Sequence, residues 1–254
     1  MALTLRRLRC LISFLTIIPA GGHDAGCLAE AADLMFLFPL VGAFIGLLAG
    51  LVGWALLTVF DASIAGLLTL GFLLLITGLH HTDGLLDFGD GLMRVGTPEE
   101  KIRVMHDENT GAGGLGLGLI TLLATAACIS KLGRGDVVQS LIVCEASAKF
   151  AMVLMAWLGR SAHEGVNVYF IDAMHGRRRN LRLLSALSIA LGLAVALMGA
   201  RGLAALAAGA AAASIVVGVA NRHFGGLTGD VFGAGNELAR LSSLLTIVGA
   251  GGWR

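Results

Sequence analysis

Three aspartates, Asp83, Asp87 and Asp90, stand at i, i+4 and i+7 in the stretch GLHHTDGLLDFGDGLMRVG. On a helix that spacing stacks three carboxylates on one face. His80, three residues before, and Arg94, eleven after, extend the same stripe. Bare carboxylates this close repel one another, so a helix holds them only where cations neutralise them or water solvates them. An oxygen-only donor set suits a hard divalent cation, Mg²⁺ or Mn²⁺. The plainer reading is a solvated segment with turns at Asp83-Gly84 and Asp90-Gly91. His80 reads as a ligand, a base or a hydrogen-bonded boundary residue, and His81 as an exposed neighbour.

Two further segments carry acids. KIRVMHDENTGAGGLGLG places Asp107 before a glycine-rich turn that opens an apolar run. Backbone N–H groups of Gly111, Gly113 and Gly114 at a helix start can hold a phosphate; equally, such a turn simply starts a packed membrane helix. NRHFGGLTGDVFGAGNEL holds Thr228 and Asp230, with Glu237 seven residues after Asp230. Carboxylates at the edge of membrane segments are costly and are functional candidates by default. Asp230 is expected as ligand or base, and Thr228 and Glu237 as substrate contacts; a helix cap or a packing role is the alternative. Arg160 could clamp a diphosphate through bidentate contacts. Arg177, Arg178, Arg179 and Arg182 read as topology determinants beside anionic lipid. Glu145 and Lys149, four apart inside an apolar run, form either a buried pair or a substrate contact.

The elements that must position these residues follow from composition. Of 254 residues, 56% are hydrophobic and only 14% charged, against about 25% charged in soluble domains. So little charge excludes a soluble enzyme and a disordered chain, and a net charge of +1 leaves no basic surface for nucleic acid. Many Gly and few Pro suit close-packed membrane helices. Apolar runs fall at Leu34–Leu57, Ile64–Leu79, Leu115–Leu132, Val137–Leu158, Leu183–Met198, Leu203–Val219 and Leu238–Gly249. Each approaches the ~20 residues that cross a bilayer, giving an all-α polytopic membrane bundle of about seven transmembrane helices in one domain, 1–254. The N-terminal run, Cys10–Ala20, is short and ends at Pro19-Ala20-Gly21-Gly22 behind Arg6, Arg7 and Arg9, which reads as an interfacial or re-entrant helix. The long polar segments His80–Gly113, Gly159–Arg182 and Asn221–Glu237 then share one face with most of the arginines, Arg240 and Arg222 included. Positive-inside bias makes that face cytoplasmic. Lys131, Arg134, Arg201 and Arg254 remain opposite. The four cysteines lack metal spacing and read as small buried hydrophobes without disulfides.

The order FPLVGAFIG, HHTDGLLDFGDGL, MHDENTGAGG, GGLTGDVFGAGNEL resembles the cobalamin synthases, membrane-bound adenosylcobinamide-GDP ribazoletransferases. The resemblance runs from about Phe14 to Glu237. It implies a cell-membrane enzyme that uses Mg²⁺. It also implies transfer of the adenosylcobinamide phosphate group from its GDP ester to α-ribazole, or to ribazole 5′-phosphate, with release of GMP. The family's acidic blocks fall on Asp83, Asp87 and Asp90, on Asp107 and on Asp230. Implied roles are metal ligation by Asp83, Asp87, Asp90 and Asp107, and proton acceptance by Asp90, Asp230 or His80. Phosphate orientation falls to Gly111–Gly114 and Arg160, in an apolar-walled cavity open to the cytoplasm. Partners implied are the corrinoid and nucleotide substrates and the bilayer, with no nucleic acid, and with a homo-oligomer or other cobalamin-assembly enzymes as further partners. One departure stands out: His106 and Asn109 occupy positions where the family pattern has basic residues. Two other readings use similar residues. A CDP-alcohol phosphotransferase shares Asp87, Asp90 and Gly91, but its following Ala-Arg and Gly are absent. A cation transporter would carry its acids in mid-span rather than at boundaries.

Overall fold

The computed structural model describes residues 2–20 and 25–251. Gly21 and Gly22, expected to end the first apolar run, and the terminal Arg254 lie outside them. The described residues form α1 (Ala2–Leu15), α2 (Ala25–Asp33), a 3₁₀ turn (Met35–Leu37), α3 (Phe38–Leu56), α4 (Ala62–Ile76), α5 (His80–Met93) and α6 (Pro98–Met105). Then follow α7 (Ala112–Ser130), α8 (Val137–Leu158), α9 (Val166–His175), α10 (Arg179–His223) and α11 (Gly229–Gly251). No strand occurs among the described residues; a single bridge pairs Ser161 with Leu227.

By length and composition four stretches can cross a membrane: Met35–Leu56, α7, α8 and α10. The α4–α5 pair, bent by 94°, makes a fifth if taken as one. α10 has 45 residues, about 67 Å of helix, more than twice a bilayer core. It is not one rod. Gly199 has φ 56° and ψ −130°, a conformation open to glycine, and Gly202 packs directly on the Ala194 backbone. The chain therefore doubles back there as a hairpin with arms 179–198 and 200–223. α1, at 14 residues, reaches only about 21 Å, short of a crossing.

α8 is the central helix, buried along most of its length. Gly42, Gly46 and Gly50 of α3 meet Glu145, Leu141 and Val138 of α8, so the two run antiparallel at close approach. With no hydrophobic driving force between helices in lipid, such small-residue seams supply the packing. Large apolar side chains point outward instead: Ile120, Ile215 and Leu75 are more than 60% exposed, as expected where hydrocarbon is the solvent. The short connections sit together at one end, where Asp61 caps α4 through Ser63 and Ile64 and Arg201 approaches Asp136. The long polar segments share the other end, as the connection lengths predict: Lys101 reaches His223, His106 reaches Asp230, and Arg160 reaches Gly225.

Three expectations are corrected. Cys10 and Cys27 form a disulfide between α1 and α2; their Cα atoms are 5.2 Å apart, a proximity that a separation of 17 residues does not reveal. Cys128 and Cys144 are free and buried as expected. His81 is buried rather than exposed, because α5 turns that edge inward. Arg240 is not a surface topology charge; it is fully buried.

Candidate active site

The acidic helix α5 is set by its entry. Gly78 (φ 65°) and Leu79 (φ 60°) are both left-handed, and this pair turns the chain away from α4. A leucine in that conformation costs about 1–2 kcal/mol. The Leu79 N–H recovers part of it by donating to Leu74 O at 2.9 Å. α5 then lies across the N-terminal ends of two other helices, and glycines make both approaches possible. A Cβ on Gly84 would meet the Asp230 backbone at 2.8 Å, and one on Gly89 would meet Gly113 O at 2.9 Å. The glycine-rich start of α7 is thus a packing surface for α5, whereas Gly226, before α11, packs on the segment Arg160–Ala162.

This seat brings Asp83, Asp87 and Asp90 of α5 up to Asp230 of α11. Asp87 is the most affected. Burial, and then the neighbouring charges of Asp230, Asp83 and Asp90, push its carboxyl up to about 7. Among the described residues the carboxylates of Asp83 and Asp87 have no ion-pair or hydrogen-bond partner. Asp230 has Thr228 Oγ1 at 3.3 Å and His106 Nε2 at 3.9 Å.

Asp90 has a different surrounding. Its Oδ2 accepts from the Gly111 N–H at 2.7 Å and its Oδ1 from the Gly114 N–H at 2.8 Å. A carboxylate of the protein itself therefore caps α7, where the sequence suggested a bound phosphate. Gly111 and Gly114 cannot offer those N–H groups to substrate while Asp90 holds them, and Gly113 lies against Gly89 and Met93. Thr228 is also a cap: it is fully buried, and its Oγ1 accepts from the Val231 N–H at 3.2 Å. Glu237, expected as a substrate contact, is fully buried on Arg240 and Asn236. Asp107 sits on the exposed loop before α7, where two hydrogen bonds from Asn109 hold its carboxyl below the usual range. His80 opens on an apolar cavity beside α5 rather than on the carboxylate cluster.

The loops at this end of the bundle carry donors. Arg160 is anchored by its Nε to Gly225 O at 2.9 Å, leaving its terminal nitrogens free of the loop. The rings of His106 and His163 meet edge to face with centroids 5.1 Å apart, which joins the loop before α7 to the loop before α9. Lys101 Nζ donates to His223 Nδ1 at 2.9 Å. The Ser161–Leu227 bridge and Asn167, which donates to Leu227 O at 3.0 Å, hold the GGLTGD loop. Lys101, His163 and Asn167 carry no local sequence signal for these positions, since each depends on a partner more than 50 residues away.

The donor set of Asp83, Asp87 and Asp230 is all carboxylate oxygen and short of positive charge, which fits a hard divalent cation. No ready-made set of three His, Cys, Asp or Glu side chains exists among the described residues. That is the ordinary condition for Mg²⁺, which takes one or two carboxylates and completes its shell with water and substrate phosphate.

A family model described as cobalamin-5-phosphate synthase matches residues 7–248. An adenosylcobinamide-GDP ribazoletransferase of Methanocella arvoryzae is 37% identical, covering 98% of this chain and 97% of the relative. Proteins of the same description from Methanosarcina mazei and Thermococcus kodakarensis are 31% and 33% identical over 92% and 94% of this chain, and 88% and 97% of their own. No solved structure matches. With the fold, the acidic helix and these likenesses in agreement, the chain belongs to the cobalamin-5-phosphate synthase family, transferases of cobalamin biosynthesis.

Proposed function

We propose that this protein catalyses Mg²⁺-dependent transfer of the adenosylcobinamide phosphate group from adenosylcobinamide-GDP to α-ribazole, or to its 5′-phosphate, with release of GMP. The observation that carries the reading is the meeting of Asp83 and Asp87 with Asp230 under a deficit of positive charge. Asp83, Asp87 and Asp230 would hold the cation, and the chemistry supplied by bound Mg²⁺ is neutralisation of charge on the diphosphate and the departing GMP. Asp107, on the exposed loop, stands at the rim of this set.

The chain's own residues do the rest. Arg160, fixed at Nε, turns its terminal nitrogens to phosphate oxygens. Asp230 takes the proton from a ribose hydroxyl that α-ribazole and its 5′-phosphate share, as that oxygen bonds to phosphorus. The bond from phosphorus to the GMP oxygen breaks, and its electron pair leaves with GMP. Of the three candidates for this proton, Asp90 is occupied by two amides and His80 faces elsewhere, which favours Asp230. Asp90 is a positioning residue that fixes α5 on α7.

We place about seven crossings in the bilayer within one domain: α3, α4, α7, α8, both arms of α10, and α11. α1 lies at the interface. The arginine-rich end that carries the carboxylates faces the cytoplasm. The test is GMP release from cobinamide-GDP and α-ribazole by the purified protein in detergent. Activity should vanish in EDTA and return with Mg²⁺; equal GMP release with EDTA present overturns the reading, and release of CMP from CDP-alcohols instead would redirect it.

A further inference from the structure

Beside the carboxylate cluster α1, α5, α8, α9 and α11 enclose a cavity of about 380 Å³. That volume falls in the range of about 300–1,000 Å³ typical of small-molecule sites. Its walls are Phe14, Phe38, Phe170 and Phe232 with Met35 and Met152. The Phe14 and Phe170 rings lie 4.6 Å apart and Phe38 and Phe170 5.8 Å apart, so faces and edges of several rings line one space. Four polar side chains, Ser13, His80, His81 and Asn167, interrupt this apolar wall. Asn167 is 1% exposed; its Nδ2 donates to Ser161 Oγ and Leu227 O, while its Oδ1 is buried with no partner. His81 is buried and has no hydrogen bond to the described residues. Polar side chains inside an apolar wall are normally paired, so the unpartnered His81 ring on this cavity points to a ligand that supplies a hydrogen-bond partner.

The cavity adjoins the reacting groups along the chain: Gly229, in its wall, precedes Asp230, and His80 and His81 precede Asp83. We infer that it seats the aromatic base of the acceptor, a flat apolar two-ring heterocycle packed among the phenylalanines, with a ring nitrogen toward His81. This rests on the transferase reading above. The other candidates fit less well. The corrinoid is far too large for this space. Guanine would set its polar edges against walls made mostly of phenylalanine and methionine. A lipid chain would leave the His81 ring bare.

The test uses Val166→Trp, which fills the cavity from its exposed edge and should fold, and His81→Phe, which removes the ring nitrogens at similar shape. Initial rates of GMP release give KM for each substrate. Val166→Trp should raise the α-ribazole KM about tenfold or more and His81→Phe by severalfold, each leaving the cobinamide-GDP KM within twofold. Free 5,6-dimethylbenzimidazole should compete with α-ribazole and not with cobinamide-GDP. If wild type turns over while Val166→Trp keeps its α-ribazole KM within twofold, the inference is overturned and the transferase reading stands; a lipid-filled cavity gives that result. If wild type releases no GMP from these substrates, the transferase reading itself has failed and the inference with it.

Discussion

Two groups of charged residues lie on α11, and they are built in opposite ways. In the middle of the bundle Arg240 joins Glu145 of α8 to Glu237, while Lys149 donates to Asn236 at 2.6 Å. Two carboxylates meet two cations there, and all four side chains are fully buried. At the N-terminal end of the same helix Asp230 meets Asp83 and Asp87, with His106 as the one ion-pair partner of these three among the described residues, and the site is part-open. A charge balanced inside the protein needs nothing further and serves to fix the register of α8 on α11. Charge left unbalanced at a rim is where a cation and a phosphate can complete the balance from outside. Position in the sequence does not separate the two, since Glu237 is only seven residues from Asp230.

The sharpest test of that contrast is Asp87→Asn. It should cut GMP release about 10²–10³-fold or more while leaving the unfolding temperature in detergent unchanged or raised, because carboxylate crowding is relieved. Near wild-type turnover would remove Asp87 from the site. Arg240→Met should do the reverse. It strands Glu145 and Glu237 and should lower stability by about 3–5 kcal/mol, read from denaturation midpoints. Adding Glu145→Gln and Glu237→Gln should recover most of that loss; no recovery would mean that Arg240 matters for packing rather than charge. Asp90→Ala tests the intermediate case. Losing the α7 cap should cost about 0.5–2 kcal/mol, with a smaller activity loss than Asp87→Asn, and Asp90→Asn should keep part of the cap. An Asp90→Ala activity loss as deep as that of Asp87→Asn, at unchanged stability, would return Asp90 to the metal set. Arg160→Lys should have the smallest effect. Loss of the planar fork should raise the cobinamide-GDP KM about threefold to tenfold with kcat little changed. An unchanged KM would take Arg160 off the phosphates.

The elements and the acidic stripe were legible because they depend on local pattern. Apolar run length marked the helices, and the spacing of Asp83, Asp87 and Asp90 marked one face of α5. Connection length correctly grouped the polar segments at one end. The role of each polar residue was less legible. Gly111 and Gly114 do lie at a helix start, yet their amides were already taken by a carboxylate more than 20 residues earlier. Thr228 and Glu237 belong to a motif that does reach the site, but their side chains point into the protein. Glu145 and Lys149 could be read as a pair, whereas the cation that does most for Glu145 comes from another helix, 95 residues on. The Cys10–Cys27 disulfide was missed for the same reason.

By itself, then, the sequence determined the solvent, the helices, the family and the stripe of carboxylates, because each depends on composition, period or motif along the chain. Only the tertiary structure decided which acids are balanced and which are not. That balance depends on what other helices bring within a few ångströms, and those partners lie tens of residues away in the chain.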